Sequence, residues 1–501
     1  MASRSRPIDG ELLKLKNEIR ECALSYGLDF FEVMFEVCDY DTINILASLG
    51  GFPSRYPHWR FGMDYDQMSK GYAYGLQKIY EMVINTDPSY AYLLQANHLV
   101  DQKIVIAHVY GHSDFFKNNI WFKNTNRKMM DVMANNGAKV RRYMELYGED
   151  ALEIFIDKVL SLENLIDVDV LFETPEVVKS RQDLEKLAKE ELNKDSGDER
   201  SSAVKTFIRS QDKLKDPKAV IKTETKEEYL LKIPERPTRD IMKFLGEHAP
   251  LEEWQKDVIG IIREEAYYFL PQRLTKIMNE GWASYWHAKI MTEKVLRSSE
   301  IIDFCDHHAG VMAMSKQNLN PYKIGIELYR DIEYRWNTGR FGKEYNECED
   351  MVLKQNWDKK LNQGRAKIFE VRKSHNDLTF IDEFLTPEFC ERAQLFTYKY
   401  NPRTGRTEID TRDFLAIKQK LLGQLTNFGS PVIELENANY ENRGESLLVH
   451  KHYGVDLDLN YCQETMKNIH ALWKRPVNMV TRYDDKETVF VYDGKEMRPK
   501  K

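Results

Sequence analysis

The stretch IVIAHVYGHSDFF (104–116) constrains the fold more than any other, because it sets two histidines into an otherwise apolar run. His108 and His112 are four residues apart, so on a helix their side chains leave one face about one turn apart. Ile104 and Phe115 extend the same stripe, which predicts that both imidazoles point toward a core. Either each ring finds its own buried acceptor, as buried polar groups do, or the two share an ion. A chain of 501 residues can bury such a core and is expected to fold as roughly two or three domains.

The shared-ion reading gains from a second segment, MNEGWASYWH (278–287). Glu280 and His287 lie two helical turns apart on one face, separated by about 10 Å along the axis. The spacing of His108 and His112 matches the HExxH helix of zinc peptidases. The Glu-Gly-aromatic-Ala segment resembles the helix that supplies the third ligand in their gluzincin branch. By that resemblance His108, His112 and Glu280 would hold a divalent metal, zinc by donor type, with His287 as a fourth ligand or an oxyanion donor. Gly281 would let another backbone come close. The plain alternative is a pair of core histidines and a Trp- and Tyr-rich core helix with one capped Glu.

Val109 stands where HExxH carries its general base, so the metal spacing is kept and the base is missing. Asp114 and Glu265 are the candidate substitutes, with Glu264 beside the latter; Asp114 could equally orient a ligand imidazole. Arg55, Trp59 and Arg60, with His58, sit in GGFPSRYPHWRFG (50–62), where guanidinium groups beside rings could grip a substrate carboxylate or phosphate. His307 and His308 are adjacent and cannot both face one site on a helix. Three residues before each of the 12 histidines there is no Glu, which removes the Glu-x-x-His pairs of di-iron bundles. Walker A, GxGxxG and GxSxG patterns are absent.

Residues 1–175 read as mostly helical, with an ordered loop at 50–62, a helix through Tyr72 to Ile84 and another from about Asp101 to Phe116. Residues 176–237 are rich in charge and poor in large apolar side chains, as in a solvated helix and linker. Helical texture resumes over 238–376, interrupted at Pro271, with Asn320 and Pro321 suited to the N-cap and first turn of a helix. From 377 to 501 the pattern turns β-like. Strands are expected near Leu395–Tyr400, Pro431–Leu435, Ser446–His452, Val477–Tyr483 and Thr488–Tyr492, with helices near Asp413–Leu425 and Leu459–Trp473. The fold class is therefore α+β: a large, mainly helical, zincin-like region followed by a small ferredoxin-like α+β domain.

A formal net charge of −7 argues against general nucleic-acid binding, which needs clustered surplus cations. Six scattered cysteines form no CxxC pair and suit a reducing compartment. The N-terminus lacks an apolar signal core and no stretch approaches membrane-span length, so a soluble, cytoplasmic protein is expected.

Five segments in order, GGFPSRYPHWRFG, VINTDPSYAYLL, HVYGHSDFFKNN, MNEGWASYWH and NPYKIGIELYRDIE, closely resemble the stage V sporulation protein R (SpoVR) family over roughly residues 10–490. The resemblance implies a cytoplasmic protein needed for spore cortex formation, with relatives in bacteria that make no spores. It also implies a functional partnership with a serine protein kinase of the AAA type and a von Willebrand factor A-like protein. It brings no settled activity with it. The metal set proposed above comes from the residues.

Overall fold

The computed structural model describes residues 5–73, 81–169, 233–313 and 319–500. The charged stretch expected as helix and linker lies, up to residue 232, outside the described residues. The chain divides into two compact units, Met1–Ile166 with Met242–Val432, and Asp167–Ile241 with Ile433–Lys501. The division falls after Val432, whereas the change of sequence texture suggested 377.

In the first unit, helix Leu99–Asn118 is buried on almost every side; even Asp101, Gln102 and Lys103 are covered. It packs against helices Gly10–Ser25 and Lys276–Ile290, and the latter packs against Pro321–Thr338. The last of these starts as expected, with the Asn320 side chain accepting from the Lys323 N–H and Pro321 in the first turn. Glycines set the crossings. A Cβ on Gly281 would lie 2.4 Å from the Gly325 Cα, one on Gly325 would lie 2.2 Å from the Ile277 carbonyl oxygen, and one on Gly111 would lie 2.7 Å from the Ala283 Cα. Backbones meet where side chains would otherwise hold helix axes about 8–10 Å apart. Trp282, Trp286, Tyr110 and Tyr329 fill the space around these crossings, all nearly inaccessible.

The mostly helical expectation for the N-terminal region missed a four-stranded sheet, ordered Arg6–Pro7, Val33–Cys38, Ser89–Leu94, Glu81–Ile84. Its two middle strands are parallel and the outer pairings antiparallel. The expected helix through Tyr72 to Ile84 is corrected accordingly: helix Trp59–Ala73 ends first, 74–80 lie outside the described residues, and Glu81–Ile84 is a strand. Pro271 does not interrupt its helix either. Glu253–Leu274 runs through it, and the Thr275 hydroxyl donates to the Pro271 carbonyl at 2.7 Å where the chain breaks before Lys276.

The second unit holds a five-stranded sheet in consecutive order, Val432–Tyr440, Glu445–Lys451, Val477–Tyr483, Lys486–Tyr492, Met497–Pro499. The second and third strands are parallel, joined across helix Leu459–Trp473. This corrects the ferredoxin-like expectation, which requires two crossover helices and an interleaved strand order. The first expected crossover, Phe414–Leu425, instead sends Ile417 and Leu421 into the core of the first unit. The strand before it pairs as a separate hairpin, Thr397–Asn401 with Arg406–Thr411. The α+β class stands. Among the described residues no helix is long and apolar enough to cross a membrane.

Candidate metal centre

His108 and His112 leave the buried helix one turn apart and meet Glu280, which the glycine crossings hold against them. His108 Nε2 lies 3.3 Å and His112 Nε2 3.4 Å from Glu280 Oε2. One donor atom from each of the three residues fits within 4.8 Å of the others, and all three residues are buried. The spacing of the two histidines and the position of Glu280, read from separate segments, thus converge in one place.

The remaining atoms of the three side chains are also engaged. His112 Nδ1 lies 2.9 Å from Asn279 Oδ1, an acceptor that suits a proton on this nitrogen. His108 Nδ1 lies 2.8 Å from His287 Nδ1, and His287 Nε2 lies 3.2 Å from His308 Nδ1. Lys276 Nζ donates to the other oxygen of Glu280, Oε1, at 2.5 Å. Burial would raise the Glu280 carboxyl, but His112, His108 and Lys276 together hold it well below the usual carboxylate range. Burial is also the main cause that pushes His287 well below its ordinary value, with His108 and His308 adding to it.

Of the four residues expected around the ion, the structure brings His108, His112 and Glu280 to a common point. It sets His287 behind His108, against the ring nitrogen that faces away from Glu280. Asn279 and Lys276 were not singled out from the sequence. The Lys276–Glu280 spacing of one turn was the available signal, and Asn279 is legible only as the neighbour of Glu280. His308 stacks on Phe304 and reaches His287, while His307 pairs with Asp101.

The candidate bases occupy other positions. The Asp114 carboxylate accepts from Arg372 Nη1 at 2.6 Å, Trp282 Nε1 at 2.7 Å and the Asp29 backbone N–H at 2.7 Å. Burial pushes its pKa up to about 6 against these partners. Such a carboxylate ties three segments together. Glu265 is ion-paired with Arg55, and both line a cavity with Arg60 to which none of the three clustered residues contributes. Trp59 donates from Nε1 to Asp157 at 3.1 Å, and His58 Nε2 lies 3.2 Å from the same carboxylate.

A family model described as SpoVR like protein matches residues 9–430. The chain is also 28% identical over 491 residues to the uncharacterized protein YcgB of Escherichia coli (strain K12), spanning 93% of this chain and 91% of that protein. No solved structure matches the chain. With the five motifs in order and a family match over most of its length, the chain belongs to the SpoVR-like protein family.

Proposed function

We propose that His108 Nε2, His112 Nε2 and Glu280 Oε2 bind one divalent cation, zinc by donor type, in a metal-dependent hydrolase acting on a peptide or amide bond. One observation carries the reading. His112 Nδ1 is backed by Asn279 Oδ1, and its Nε2 and the His108 Nε2 both turn to one carboxylate oxygen of Glu280, at 3.4 and 3.3 Å. Two ring nitrogens and a carboxylate oxygen so gathered in a buried site suit either an imidazolium–carboxylate contact or a shared cation. Two imidazole nitrogens and one carboxylate oxygen are a donor set that zinc takes in catalytic sites.

The chain's own residues would organise such a site. Asn279 and His287 back the two imidazoles as hydrogen-bonding partners orient metal-bound histidines elsewhere. Lys276 engages Glu280 Oε1, which leaves Oε2 as the single carboxylate ligand atom. When bound, the cation would supply Lewis acidity toward a carbonyl or water. A second reading, a metal-stabilised regulatory protein without catalysis, is favoured by Val109, since loss of a general base typically lowers rates by about 10²–10⁴. Family membership supports the further proposals of a cytoplasmic role in spore cortex formation, exercised with an AAA-type serine protein kinase and a von Willebrand factor A-like protein.

Metal analysis of the purified protein tests the centre directly. One tightly held ion per chain is expected, lost in Glu280→Gln and in His112→Ala. A chain that stays metal-free after equilibration with zinc, its histidines titrating as an imidazolium–carboxylate pair by NMR, overturns the proposal. If Glu280→Gln abolishes function in cells at normal abundance, the hydrolase reading holds. If it lowers melting temperature and abundance together, the regulatory reading replaces it.

A further inference from the structure

Between helices Pro321–Thr338 and Gly364–Ser374 the chain makes an excursion whose middle is the short helix Met351–Gln355. Its first three residues, Met351, Val352 and Leu353, are 66%, 69% and 55% exposed, and no other three consecutive large apolar residues are exposed among the described residues. Neighbours on a helix point about 100° apart, so three in a row reach solvent only where the turn stands clear of the protein body. Single exposed apolar side chains need no explanation, but a contiguous run of them marks a contact surface.

The base beneath this triplet is built. Asp350 caps the turn, its carboxylate accepting from the Val352 and Leu353 N–H groups at 2.9 and 3.0 Å. Behind it Trp357 is buried and donates from Nε1 to the Gly339 carbonyl at 3.0 Å. Arg340 donates to the Gln355 and Trp357 carbonyls at 2.7 and 3.0 Å, and the Lys359 N–H donates to the Thr338 carbonyl at 2.9 Å. The excursion thus holds the apolar triplet outward on fixed supports, which keeps the entropic cost of docking low.

The charges around the triplet indicate what it meets. Glu347, Glu349 and Asp350 precede it, all exposed, while Lys354, Lys359 and Lys360 follow it with Asp358 as the one acid among them. Lys359 is ion-paired with Glu344, and Glu347 lies 3.8 Å from Lys343. Glu349 and Lys360 have no ion pair among the described residues. A two-fold axis passing by Val352 would lay the acidic side of one copy over the basic side of the other and the triplet upon itself. A surface of one charge sign would instead call for an oppositely charged partner. We propose that residues 347–360 form the self-complementary contact of a reversible homodimer, with Met351, Val352 and Leu353 at its centre. Three side chains make a small centre, so the affinity belongs in the micromolar range and the pair is not obligate. The contact is independent of the histidine–glutamate cluster.

Sedimentation velocity of the full-length protein, loaded over a wide concentration range, tests the assignment. Concentration-dependent dimerisation is expected. Val352→Asp places a charge at the centre of the contact and should weaken it at least about ten-fold. Its thermal melt should be unchanged, since the position is exposed. Glu347→Lys with Glu349→Lys makes both sides basic, and Lys354→Glu with Lys360→Glu makes both acidic. Each double variant should stay monomeric alone, and an equal mixture of the two should form a heterodimer. A chain that is monomeric at every concentration overturns the proposal, even if the triplet is then found to hold a different protein. A dimer that Val352→Asp leaves intact, or double variants that dimerise alone or fail to associate when mixed, overturns it as well.

Discussion

Replacing Gly281 by alanine tests whether the helix crossings are set by backbone contact. The new Cβ would lie 2.4 Å from two backbone atoms of Gly325, where ordinary contacts begin near 3.4 Å, so helix Lys276–Ile290 or Pro321–Thr338 must retreat by the difference, 1.0 Å. Neither neighbour is a flexible side-chain end. The cost therefore sits at the upper end of overpacking, about 3 kcal/mol, offset by about 1 kcal/mol of improved helix propensity. A net loss of about 2 kcal/mol is expected. Urea unfolding followed by fluorescence reads it, since Trp282 and Trp286 are buried in the same packing. Gly260 is the control: it lies inside helix Glu253–Leu274 with nothing within 4 Å of an added Cβ, so Gly260→Ala should stabilise by about 0.5–1 kcal/mol. Equal midpoints for the two variants would refute the backbone-contact account.

Other consequences are measurable in the same way. Asp377 accepts from the Ile277 and Met278 N–H groups at 2.8 and 2.9 Å, yet burial pushes its pKa up to about 7. Its folded pKa lies above the unfolded value, so the native state binds the extra proton. The stability of the wild type relative to Asp377→Asn should then fall as pH rises from about 4 to about 7, by up to about 1.4 kcal/mol per pH unit. A pH-independent difference between the two would contradict that burial effect. Arg372→Met leaves the Asp114 carboxylate buried without its cation, and a loss of about 3–5 kcal/mol is expected. Adding Asp114→Asn should recover part of that loss in thermal melts, and no recovery would show that the pair is not energetically coupled.

The histidine–glutamate cluster was legible because its signals are local. His108 with His112, and Glu280 with Gly281, each read on one helix face without knowledge of the fold. The N-terminal sheet was not legible for the opposite reason. Ser89–Leu94 is covered on nearly all sides, so it presents an apolar run with no period-two alternation to separate it from helix. The hairpin Thr397–Asn401 with Arg406–Thr411 shows the other limit. Its strand texture is local, but which sheet it joins depends on where helix Phe414–Leu425 finds its apolar partners. The setting of Arg55 was half visible: a guanidinium among rings can be read locally, while its partner Glu265 lies 210 residues away.

The discontinuity of the first unit has a consequence for synthesis. His108 and His112 emerge early, but Glu280 follows them by well over a hundred residues, and the chain contributes Asp167–Ile241 to the other unit before returning. Helix Leu99–Asn118, buried on almost every side in the finished unit, must wait on the ribosome for the helices that will enclose it. A nascent chain arrested before Lys276 should therefore expose this helix to chaperones and proteases, and one extended past Thr338 should bury it.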